Sequence, residues 1–339
     1  MPISSVDYAS LIKDSMAQGL YENLFRMNDV LKLFPITEVG SLVVRGERWA
    51  TLPTPGFRKL NDTYTESTGT TEPVEDRLAI VGSRFTEDDA YDQLKDPLYR
   101  DPVQLQFDMH LKSKERFLAQ EIINGDISST ADGFDGLVTR LADTSKFAAA
   151  QSIQASSGND TLKVLADAAS ARTFFDKFEE AAYQCGLHGV TEGGNAKGAA
   201  FMNKTTLLGI QQAARLAGYT MYTKDVLGYT WPAFLNIPFV DVGLQRDKST
   251  EIISSAMTAL DAGSDSTHII FARFAQPDGH IESPGSDGIS IVQAGGFRRL
   301  GPIETLTATE WGWEWIMGLA SIGDEYCLSR LHNFTMAAS

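Results

Sequence analysis

The side chains that do chemistry in proteins are present in this sequence, but not in working combinations. Its five histidines are His110, His188, His268, His280 and His332. None stands in a His-Glu-x-x-His frame, and Cys185-x-x-His188 is half of a zinc pattern without a second half. Packing at helical spacing accounts for them better than metal ligation. The loop TEGGNAKGAA (191–200) has the glycine spacing of a phosphate loop in Gly193 and Gly198. Ala199 and Ala200 stand where that loop needs a lysine for the phosphates and a hydroxyl for magnesium, so a plain turn is expected. No Gly-x-Ser-x-Gly elbow occurs. Glu87, Asp88, Asp89 and Asp92 lack the glycine and spacing of a calcium loop and read as a solvated acidic face. Arg45, Arg48 and Lys59 with Trp49 and Tyr64 have the residue types of a basic–aromatic nucleic-acid surface, but Glu47, Asp62 and Glu66 interrupt them. Neither a catalytic constellation nor a cofactor or metal site emerges.

The totals narrow the classes further. At 339 residues the chain has room for two domains or one elaborate one, and 43% hydrophobic residues is the content of a folded protein. A formal net charge of −15 argues against gripping nucleic acid by neutralising phosphates. It suits a protein that stays soluble, or lies beside DNA without adhering. Cys185 and Cys327 form no disulfide framework and read as small buried hydrophobes in a reducing compartment. No run of 18 apolar residues would span a membrane, and MPISSVDYAS lacks the form of a secretion signal.

The elements that would position these residues can be read from periodicity. Residues 5–33 have a helical pattern closed by Pro35. From 36 to 85 the chain is rich in Thr, Gly and Pro, which predicts two strand pairs around a coreless excursion from about 45 to 78. Long loops of this kind inside a compact domain are uncommon and usually functional. Pro97 or Pro102 is expected to open a helix in which residues 102–124 place Val103, Phe107, Leu111, Leu118 and Ile122 at helical spacing, with Lys112, Lys114 and Arg116 expected to face elsewhere and Gly125 to end it. Such a helix is about 35 Å long at 1.5 Å per residue. Helices are expected over 161–185 and 203–218, and strands over 234–241, 267–274 and 288–293.

EWGWEWIMGLA (310–320) puts Trp311, Trp313 and Trp315 two residues apart. On a helix they would lie at roughly 0°, 200° and 40°, no single stripe, so the spacing predicts a strand over about 304–320 with one heavily apolar face. That face is a core surface, an aromatic ligand platform or a subunit contact; the strip alone does not choose.

The order of these segments is distinctive. LFPITEVGS (33–41), TLPTPGFRKLNDTYTESTGT (51–70), IINGD (122–126), FDGL (134–137), FMN (201–203), IPFVDVG (237–243), IIFARF (269–274) and EWGWEWIMGLA before SRL (329–331) follow one another along the chain. In this order they resemble the tailed-phage major capsid proteins of the Hong Kong 97 fold, over roughly 5–335 and least within 142–200. The resemblance implies an α+β fold with residues 1–38 as an N-terminal arm and 39–90 as an extended E-loop with flanking strands. It implies a spine helix and peripheral (P) domain in 91–160, an axial (A) domain in 161–285, and a P-domain return strand and C-terminus in 286–339. Arg45, Arg48, Trp49, Arg58, Lys59 and Tyr64 would then meet neighbouring subunits, and the three tryptophans would form the core strand of the P-domain.

The implied function is a structural shell of homo-hexamers and homo-pentamers around double-stranded DNA, held without sequence-specific contacts. Portal, scaffold and decoration proteins are the implied partners. The implied location is the virion capsid, with synthesis in the host cytoplasm and no membrane. Some family members crosslink an E-loop lysine to an asparagine; Lys59 and Asn333 have the residue types, but their surroundings do not match. An encapsulin-like nanocompartment shell is the alternative within the same fold. An acidic soluble α/β enzyme is the alternative outside it.

Overall fold

The computed structural model describes residues 18, 22–26, 28–88, 102–142, 147, 151–156, 161–187, 198–226, 229–254, 267–275, 288–305, 307–321 and 326–336. The elements begin with α1 (Asp29–Leu33), β1 (Ile36–Glu38), β2 (Val43–Thr51), β3 (Thr70–Arg77), β4 (Ala79–Asp88), α2 (Pro102–Asn124) and α3 (Leu137–Ala142). Next come β5 (Ser152–Gln154), β6 (Leu162–Lys163), α4 (Ala168–Gln184), β7 (Gly198–Met202), α5 (Lys204–Ala217), β8 (Tyr222–Val226), β9 (Tyr229–Phe234) and β10 (Ile237–Asp241). The last are β11 (Thr267–Arg273), β12 (Ser290–Glu304), β13 (Ala308–Ala320) and β14 (Leu328–Thr335).

Three sheets organise the described residues. β1-β12-β13-β4 form a four-stranded sheet, β2 and β3 a separate two-stranded ribbon, and β5 to β11 with β14 an eight-stranded sheet. The period of two sorts side chains between two cores. In β7, Ala199 and Phe201 enter the core shared with the four-stranded sheet, while Ala200 and Met202 face the core beneath α4 and α5. β11 repeats the division, with Ile270 and Ala272 on one side and Ile269 and Phe271 on the other.

The N-terminal segment stitches the two large sheets together. Phe25 meets Trp315 of β13 edge-on at 6.0 Å. Phe34 stacks on Phe201 of β7 at 5.7 Å and meets Phe274 at 4.9 Å. Between them, Asn28 caps α1 through bonds to the backbone N–H groups of Val30 and Leu31, and its amide donates to the Glu115 carbonyl of α2. This cap splits the expected helix over 5–33: residues 22–26 and α1 are separate helical pieces, and residues 1–17, 19–21 and 27 lie outside the described residues.

α2 lies along the tryptophan face of the four-stranded sheet. Phe107 is 5.5 Å from Trp311 and 6.1 Å from Trp313, and His110 is 5.7 Å from Trp313. Trp313 and Trp315 are fully buried, whereas Trp311 at the strand's outer end is half-buried. Trp315 Nε1 donates to Gln293 Oε1 at 2.8 Å. The strip is therefore a packed core surface, not an open platform. Its strand begins at Ala308 rather than near 304, because Glu304 already belongs to β12 and a tight turn intervenes.

Several other expectations change. The excursion over 45–78 is not coreless loop throughout: β2 and β3 pair from Val43↔Arg77 to Thr51↔Thr70. The expected strand 234–241 is two strands joined at Leu235 and Asn236, both with positive φ, and the expected strand 288–293 continues to Glu304. The expected helix over 161–185 starts only at Ala168, because Leu162 and Lys163 pair with β14 first. Lys114 does not share an outer face with Lys112 and Arg116. It is 5% exposed and occupies the slot between Leu111 and Leu118, three and four residues from each, where an apolar residue would ordinarily sit. Finally, β14 joins the eight-stranded sheet while β12 and β13 belong to the four-stranded one, and β5 also joins the eight-stranded sheet.

Candidate interaction surface

The ribbon of β2 and β3 mixes Thr and charged residues with few apolar ones, of which Val44 and Val74 pack at its root. Nine residues of β2 reach about 30 Å at 3.3 Å per residue. Every residue from Thr51 to Pro73 is exposed. Beyond the paired strands, Thr54 N donates to Ser67 Oγ at 2.9 Å. A turn at the tip is closed by Asp62 N donating to the Lys59 carbonyl at 3.1 Å, with Asn61 at φ 66°. Pro53 and Pro55 remove two donors here, which disfavours further ladder.

The sequence-derived residues fall into two groups on this ribbon. Arg45 lies near the root, where its Nε is 2.9 Å from Glu75 Oε1 of the paired strand; both are well exposed. Arg58 and Tyr64 come together at the tip, the guanidinium 5.3 Å from the ring centroid, and Arg58 also donates to the Asp62 carbonyl. Lys59 is exposed in the same turn. Arg48 and Trp49 belong to β2, and their side chains lie outside the described residues. Among the described side chains Arg45 stands apart from Arg58 and Lys59. Asn333, by contrast, is 4% exposed, sits at φ 64° in β14 and donates to the Ser156 carbonyl.

At the tip the sequence reading named Tyr64 but missed three further apolar residues, Leu52, Phe57 and Leu60. Leu52, Phe57, Leu60 and Tyr64 stand in water, with Phe57 and Leu60 at 110% and 90% exposure. The signal was available: Phe57, Leu60 and Tyr64 stand at the i, i+3 and i+7 spacing of a helix in a Thr- and Pro-rich stretch that forms none.

At its root the ribbon is gripped on both sides. Val44 and Leu78 pack with Val292 and Ala320 on the sheet face opposite the tryptophans. Asp76 is buried against Arg140 of α3, with Arg140 Nη1 2.8 Å from Asp76 Oδ1. α3 is brought there by the turn after α2. Gly136 N donates to the Gly125 carbonyl at 2.9 Å, and a Cβ on Gly125 would lie 2.5 Å from the Phe134 carbonyl oxygen.

The remaining candidates do not assemble into a site. His110 is half-buried beside Phe85 and Trp313, and His268 and His332 are buried. His188, His280, Asp89, Asp92 and residues 191–197 lie outside the described residues; Gly198–Met202 is the buried strand β7. Among the described residues no three His, Cys, Asp or Glu side chains group as metal ligands, and no helix is long and apolar enough to cross a membrane.

Comparison with solved structures decides what this architecture is. A holo-SrpI encapsulin complex from Synechococcus elongatus is similar over 91% of this chain and 88% of its own, at a TM-score of 0.58 and 12% identity. The capsid of a native GTA particle is similar over 96% and 92%, at 0.54 and 14%. The fold is viral capsid-like. Mycobacterium phage Cain shares this capsid-like fold with the chain over the whole length of both, at a TM-score of 0.52 and 13% identity. Residues 13–166, which carry the ribbon and α2, match the family described as Major capsid protein GP7. No curated protein matches.

Proposed function

We propose that the chain is the shell-forming major capsid subunit of a tailed-phage head, assembling as hexamers and pentamers into an icosahedral wall around double-stranded DNA. The observation that carries this reading is the ribbon: a projection from a capsid-like fold with Leu52, Phe57, Leu60 and Tyr64 in water and apolar packing only at its root. Exposed apolar patches mark interaction sites. Burying each such side chain is worth about 1.5–3 kcal/mol, and a second copy of the chain is the partner available in every position of a closed shell.

In this reading residues 1–38 are the arm, the ribbon within 39–90 is the E-loop, and α2 is the spine. α2 and the four-stranded sheet form the P-domain, and the eight-stranded sheet with α4 and α5 forms the A-domain. Interlocking of this kind typically buries about 2,000 Å² or more per obligate contact. The net charge of −15 suits a wall that confines DNA without neutralising its phosphates. Portal, scaffold and decoration proteins would be its partners in the virion, after synthesis in the host cytoplasm.

Electron microscopy of the purified protein tests the proposal. Closed shells of uniform size are expected, enclosing DNA when taken from infected cells. Only small oligomers under all assembly conditions would refute it. Shells filled with an enzyme cargo instead of DNA would move the chain to the encapsulins, whose fold it shares.

A further inference from the structure

Among the described residues the ribbon has apolar packing only at its root, so its direction is decided there. Apolar contacts such as Val44 and Leu78 against Val292 and Ala320 hold a root in place but do not aim it, because the hydrophobic effect has no direction. Directed contacts are concentrated in one side chain. Arg140 donates from Nε to the Asp135 carbonyl, from Nη1 to Ser321 Oγ and from Nη2 to the Leu319 carbonyl, all at 2.9 Å. The same Nη1 makes an ion pair with Asp76 Oδ1, while Asp76 Oδ2 accepts the Ser321 N–H at 3.0 Å. Both side chains are at most 2% exposed. The guanidinium fork thus ties the turn after α2 to the end of β13 by hydrogen bonds and holds the end of β3 through the Asp76 ion pair, while the Ser321 N–H bonds Asp76 directly. The chain passes β13 at close quarters here: a Cβ on Gly318 would lie 2.6 Å from the Arg77 carbonyl oxygen.

We infer that Asp76 and Arg140 are a positioning pair that sets the angle at which the ribbon leaves the four-stranded sheet. A buried ion pair adds little net stability compared with apolar replacements, but a guanidinium fork fixes geometry. The pair is therefore suited to aiming the ribbon rather than to holding the subunit folded. That a correctly aimed ribbon matters for assembly rests on the shell reading above; the aiming itself does not.

The test uses unassembled full-length subunits labelled at Glu47→Cys on β2 and Tyr183→Cys on α4, both exposed positions; Cys185 and Cys327 are fully buried and do not compete for label. The distance distribution between labels is read in the parent and in D76N/R140M, which removes both charges together. The expected result is one narrow distribution in the parent and a broadened or split one in the double variant, with the thermal midpoint nearly unchanged. V44A, which loosens the apolar root, should lower the midpoint and keep the distribution narrow. An equally narrow distribution in D76N/R140M overturns the inference. So does a double variant that fails to fold, since the pair would then be holding the subunit together. If the distribution broadens yet shells still close normally, the pair aims the ribbon and the shell reading's dependence on that aim is wrong.

Discussion

Lys114 offers the sharpest test of the core between α2 and the four-stranded sheet. Its Nζ lies 4.8 Å from the Phe297 ring centroid and 5.5 Å from that of Trp313, and it has no hydrogen-bond partner among the described residues. Burial pushes its pKa down to about 7, with the Glu314 charge opposing. Below about pH 7 the lysine is charged in both the folded and the unfolded chain, and the folded chain bears the whole cost of burying it. From there up to 10.5 the unfolded chain holds a proton that the folded chain has released, so stability rises with pH through this window. At about 1.4 kcal/mol per pH unit the net cost at low pH is up to about 5 kcal/mol.

Lys114→Met keeps the stem and removes the charge. The variant is expected to be about 4–5 kcal/mol more stable than the parent near pH 6, and only about 1–2 near pH 9.5. Urea melts of the two unassembled proteins at both pH values measure this, and other titrating groups cancel in the difference. A gap that does not change with pH would mean that the ammonium finds water or an acceptor. A methionine variant less stable than the parent at every pH would mean that the cation–aromatic contacts outweigh the burial cost.

Trp313→Ala should cost about 3–5 kcal/mol, because a 2% exposed indole packed against Phe107 and His110 leaves a cavity that cannot fully collapse. Glu314→Ala, whose carboxylate accepts from Arg298 Nε at 3.1 Å on the opposite face, should cost at most about 1 kcal/mol. Denaturant melts of the unassembled variants separate the two, and a Trp313→Ala subunit that melts like the parent yet cannot assemble would make the strip an intersubunit surface. Backbone amides over 52–69 make few hydrogen bonds, so hydrogen exchange should find them unprotected in free subunits and protected in shells. Equal protection in both states would show that the tip meets no partner.

Local signals on the sequence were sufficient for several elements. Pro102 and Gly125 bracket α2, and the two-residue spacing of the tryptophans marks β13 as a strand with one apolar face. Both follow from rules that act within a few residues: a proline accepted in the first helical turn, a glycine where a Cβ would strike a carbonyl, and the alternation of side chains along a strand. The order of motifs carried the resemblance to capsid proteins, and the capsid-like fold agrees with it.

Tertiary contact decided what no local pattern encodes. Lys112, Lys114 and Arg116 read as three equivalent charges, yet successive ones are about 200° apart on a helix, and only the position of the sheet determines which is buried. Asp76 and Arg140 are 64 residues apart and carry no mutual signal along the chain; they meet because Gly125 and Gly136 fold α3 back onto the end of β13. The ribbon's pairing, hidden among Thr, Pro and charged residues, is likewise a cross-strand property, since hydrogen bonds between backbones leave no trace in side-chain hydrophobicity. Among the described residues Leu52, Phe57 and Leu60 at its tip remain exposed, a feature of the folded chain that no local pattern explains.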